Sequence, residues 1–141
     1  MSIAPEIEEF IVNIGAKAPA RGDQIFEKWK KLFMRSNYFV FNEKFMIVKI
    51  CRKKVQPFWG VGKKFIDCFN STEDEYFLVL LVSPESGWVF TKREINNYIE
   101  NKQWRLDSKG KDYKIYYPLL DRNSFYSKES FLGKLVITEK E

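Results

Sequence analysis

The sequence predicts an α+β fold: a mixed β-sheet of about five or six strands with helices packed on it, in a single domain over residues 1–141. Three observations predict it. The order of predicted elements, αα-ββ-α-β-(β)α-ββ-α, calls for a mixed sheet covered by helices. The run YFLVLLV at 76–82 is apolar without interruption, as in a central strand buried on both faces. A chain of 141 residues, 45% hydrophobic and 30% charged, has the size and balance of one globular core.

The first helix is expected over PEIEEFIVNI at 5–14, which opens on Pro and acids and puts Ile7, Phe10, Ile11 and Ile14 on one face. Gly15 ends it, and AKAPARG at 16–22 reads as a loop. Asp23 caps a second helix, DQIFEKWKKLFMR, with Ile25, Phe26, Trp29, Leu32 and Phe33 inward and Lys28, Lys31 and Arg35 outward. YFVFN and KFMIVKICRK, split by Asn42-Glu43, read as a hairpin of two strands. QPFWGVG at 56–62 reads as a turn-rich loop, KKFIDCFN at 63–70 as a short helix, and STEDE as an exposed acidic turn.

After the central strand, SPESG makes a turn and WVF a short strand. Thr91 and Glu94 have the spacing of a capping box, opening a helix with Ile95, Tyr98 and Ile99 on one face. QWRLDS and KDYKIYY alternate around Lys109-Gly110 as a second hairpin, stopped by Pro118. SKESFLGKL forms a closing helix.

Histidine is absent, which removes Ser-His-Asp and Cys-His catalysis, HNH-type nuclease chemistry and histidine-ligated zinc. Two cysteines, Cys51 and Cys68, are too few for a Cys-rich zinc site and read as core thiols in a reducing compartment. No stretch reaches the ~20 apolar residues of a membrane span, and the acidic start lacks the features of a signal peptide. The expected location is cytoplasmic, with no membrane partner and no cofactor.

Charge is the most informative feature. The net charge is +5, yet residues 28–66 alone carry eleven bases and one acid, Glu43. Residues 67–100 carry seven acids and two bases. A run of cations repels itself when folded, and a polyanion relieves that repulsion by releasing counter-ions. Aromatic residues reach 17%, leaving rings beyond what a core needs. Cations and surplus rings together are the means of holding phosphates and stacking bases.

The expected function is therefore nucleic-acid binding, DNA ahead of RNA, through Lys28, Lys31, Arg35, Arg52, Lys53, Lys54, Lys63 and Lys64, with Trp59 as the ring. Phe58-Trp59-Gly60-Val61-Gly62 leads into a helix, where free backbone N–H groups and the helix dipole attract anions. It is neither a Walker A motif nor a dinucleotide fingerprint, and Gly60 and Gly62 are also what a tight turn would use. Such a domain suits the recognition part of a restriction or mobile-element system. Lys49, inside an apolar strand, either faces solvent or points toward an anion. Trp88 and Trp104 are expected in the core.

Two other readings compete. A small nuclease of restriction-enzyme type, dependent on Mg, would use Asp107, Asp112 and Lys114, with Glu94 or Glu100 adding an oxygen ligand. A polar hairpin produces the same letters. A protein-interaction module aimed at an acidic partner is the third reading. Whether the chain is catalytic, and its oligomeric state, are left open at this level.

Overall fold

Asn42 and Glu43 both adopt left-handed backbone angles, with φ of 51° and 63°. That is the geometry of a two-residue hairpin turn whose twist matches its strands. It joins β1 (Tyr38–Phe41) to β2 (Lys44–Ile50) in antiparallel register, as the sequence predicts. The computed structural model describes residues 4–17, 38–51, 56–71, 75–117, 119 and 121–140. The helix expected from Asp23 onward lies outside them.

The remaining elements follow in order as β3 (Phe58–Gly62), α2 (Lys63–Asn70), β4 (Tyr76–Ser83), β5 (Ser86–Thr91), α3 (Lys92–Glu100), β6 (Arg105–Leu106), β7 (Asp112–Tyr116), β8 (Ser124–Phe125) and α4 (Lys128–Lys140), with α1 (Pro5–Ile14) at the start. The described strands form a five-stranded sheet ordered β1-β2-β4-β5-β8 and a three-stranded sheet ordered β3-β7-β6. β2 and β4 run parallel and the other pairs antiparallel, so the large sheet is mixed. The fold is α+β.

β4 is central, and side-chain alternation divides its residues between two cores. Leu78 and Leu80 join Phe45, Ile47, Trp88 and Phe90 on one face, beneath α2, α3 and the small sheet. Phe77, Val79 and Leu81 join Met46, Val48 and Val89 on the other, beneath α1 and α4. Ile7, Phe10, Ile11 and Ile14 are the buried stripe of α1. The helix ends where Gly15 (φ 78°) turns left-handed and returns its N–H to Ile11 O and Val12 O.

α3 carries the capping box. Glu94 N–H donates to Thr91 Oγ1 (3.3 Å), and Thr91 N–H to Glu94 Oε1 (3.0 Å). Asn123, buried between β8 and α3, donates to Val89 O (3.0 Å) and to Glu94 Oε2 (2.6 Å). That bond ties the final strand to the cap. Cys51 and Cys68 form no disulfide and lie half-buried against the first core. Among the described residues, no helix is long and apolar enough to cross a membrane.

One expectation is corrected. FWGVG is strand β3, paired along its length with β7, and not a loop. Its two glycines resemble turn signals, but each occupies an outward strand position. At Gly62 a Cβ would stand 2.6 Å from the Phe65 ring, so the closeness of α2 demands glycine there. Lys63 N–H then donates to Lys111 O (2.8 Å), locking the start of α2 to the end of the β6–β7 hairpin.

Candidate nucleic-acid interface

Strand alternation gives the small sheet two different faces. Trp59 and Val61 of β3, with Tyr113 and Ile115 of β7, point inward and are buried in the first core. Phe58, Gly60 and Gly62 occupy the opposite positions, beside Tyr116, Lys114 and Asp112 of β7 in register. Arg105 of β6 pairs with Lys114, completing a row Arg105–Lys114–Gly60 across the three strands.

This outer face combines rings with cations. The Phe58 and Tyr116 rings lie 6.2 Å apart at 47°, and Tyr116 is 47% exposed. Lys114 Nζ stands 5.1 Å from the Phe58 ring centroid, a cation–π distance. Arg105 is exposed, and its Nε–H donates to Lys102 O (3.0 Å). Gly60 leaves a gap between them, with the Asp112 carboxylate 3.8 Å from where a Cβ would sit. Lys109 and Lys111 are exposed at the hairpin tip, next to the start of α2.

The residues expected from the sequence fare unequally. Lys28, Lys31, Arg35, Arg52, Lys53 and Lys54 lie outside the described residues. Lys64 is exposed at the head of α2. Lys63 forms an ion pair with Asp67 one turn later, and its hydrogen bond to that carboxylate holds the ammonium above its ordinary pKa. Trp59 is corrected. It has no accessible surface, its indole N–H donates to Leu81 O (2.9 Å), and it packs edge-on to Trp88. A ring so placed bridges the two sheets and offers nothing to a base. Trp88 and Trp104 are core residues, as expected. Lys49 is half-buried on the Phe45 and Ile47 side of β2.

Of the residues of the nuclease reading, Asp107 and Glu94 make hydrogen bonds within the fold. Asp107 Oδ1 accepts from the backbone N–H of Lys111 (3.0 Å) and of Asp112 (3.5 Å), closing the hairpin turn. The Lys111 N–H above all holds the Asp107 carboxyl below its ordinary pKa. Glu94 is engaged by Thr91 and Asn123. Among the described residues, no group of three or more Cys, Asp or Glu is arranged to hold a metal ion.

Tyr116 and Arg105 were not singled out from the sequence, and Phe58 entered there only as the start of the segment leading into the helix. The alternation of KDYKIYY was visible there. The register that sets Phe58 opposite Tyr116, from strands far apart in the chain, was not. No family model, curated protein or solved structure matches the chain.

Proposed function

We propose that this chain is a nucleic-acid-binding domain whose interface includes the outer face of the small sheet. Arg105 and Lys114 contact phosphates there, and Lys64 extends the positive surface at the head of α2, where Lys63 is paired with Asp67. The single observation that carries this reading is the composition of that face: the exposed Tyr116 ring, the half-buried Phe58 ring and two cations in register around a glycine. A face serving only the fold has no need of clustered rings and cations, which attract backbone phosphates and bases together. The concentration of cations over residues 28–66 adds to the same side of the ledger.

The nuclease alternative has less support, because Asp107 and Glu94 make hydrogen bonds within the fold and no group of three or more carboxylates among the described residues is arranged to hold a metal ion. Binding to DNA and RNA oligonucleotides, measured by fluorescence anisotropy between about 50 and 200 mM salt, tests the reading. Affinity is expected to fall steeply with salt. Replacing Arg105 and Lys114 by Gln should lower the log–log salt slope by about 1.4 for a single strand, at about 0.7 per lost contact. An unchanged slope and affinity in that double variant would remove this face from the interface. An acidic protein partner, by contrast, would leave the chain with no affinity for any oligonucleotide at low salt.

A further inference from the structure

Resting on the reading above, we infer that the outer face of β3, β7 and β6 takes single-stranded nucleic acid, with bases stacked on Phe58 and Tyr116. In a duplex the π-faces of the bases are covered by their neighbours, and only base edges reach the grooves. Rings lying along a sheet have no way into that stack. An unpaired strand turns its base faces outward, and stacking on aromatic side chains is then open to every base.

The ring geometry favours the same ligand. At 47° the two rings are not parallel, so they do not clamp one base between them. Their 6.2 Å separation is about twice the ~3.4 Å rise per nucleotide of a stacked strand. Neighbouring bases must therefore be drawn apart to occupy both rings, which a free strand allows and a duplex resists. Lys114, 5.1 Å from the Phe58 ring, and Arg105 opposite it lie where phosphates flanking those bases would pass. The Asp112 carboxylate beside Gly60 repels phosphate, so the strand presents bases and not backbone to that part of the sheet.

Three ligands of equal charge separate this inference from the broader one: a single strand of about 24 nucleotides, the same strand with abasic sites throughout, and a G·C-rich duplex of about 12 base pairs, which matches its phosphate number. The expected result is that the protein binds the base-bearing strand at least about fivefold more tightly than either of the others. Combining Phe58→Leu with Tyr116→Leu should remove that preference and leave affinity for the abasic strand unchanged. Equal affinity of the unaltered protein for all three ligands overturns the stacking inference while nucleic-acid binding stands. No measurable affinity for any of them at low salt overturns both. The abasic comparison needs no variant, so the test survives even if the leucine substitutions unfold the sheet.

Discussion

Trp59 shows how a residue's neighbours decide its role. Its indole N–H ends on Leu81 O, a carbonyl of the central strand, so the ring connects the small sheet to the large one. Trp59→Phe keeps an apolar ring but removes one of two hydrogen bonds to Leu81 O, which still accepts from the Cys51 N–H (2.9 Å), and losing that bond is expected to cost about 0.5–1.5 kcal/mol by chemical denaturation. Affinity for nucleic acid should not change in conditions where the variant is folded. A selective loss of binding without loss of stability would return Trp59 to the interface. Asp107 makes a pH-dependent contribution. Its folded pKa lies below the ordinary 3.8 because the Lys111 N–H favours the charged carboxylate. Its stabilisation is therefore present above pH 3.8 and is lost as pH falls through the lower folded value. The Lys111 amide resonance, followed as pH is lowered, should shift only below 3.8. Asp107→Asn should abolish that titration.

At the scale of elements, what the sequence disclosed depended on side-chain period. β4 was legible because an unbroken apolar run has no other stable place than between two covered faces. The α3 cap was legible because Thr91 and Glu94 satisfy each other at fixed spacing. The first hairpin was legible from Asn42-Glu43, although Glu at φ 63° is a strained choice for that position. Glu43→Gly removes the strain and should raise stability by about 1 kcal/mol in thermal or urea unfolding. No gain would mean that Glu43 makes compensating contacts. β3 was not legible. Its outward positions hold Gly60 and Gly62, so a period-2 strand looked like a turn, and only pairing with β7 gives the glycines their meaning. β8 is two residues held by Gly87 and Trp88 of β5, too short for any periodic signal.

For the whole molecule, the large sheet is covered on one side by α1 and α4 and on the other by α2, α3 and the small sheet. The small sheet thus seals the core with Trp59, Val61, Tyr113 and Ile115 while its other face carries Phe58, Tyr116, Lys114 and Arg105. The charge pattern of the chain pointed to a polyanionic ligand before any contact was known. The place of contact proposed here, among the described residues, rests on the register that brings β3 and β7 together. Titrating the 15N-labelled protein with a single-stranded oligonucleotide, while following backbone amide resonances, tests it most directly. Shifts are expected to concentrate at Phe58, Gly60, Arg105, Lys114 and Tyr116, with α1 and Asn123 unmoved. Shifts confined to α1 and α4, with the small sheet silent throughout, would contradict it.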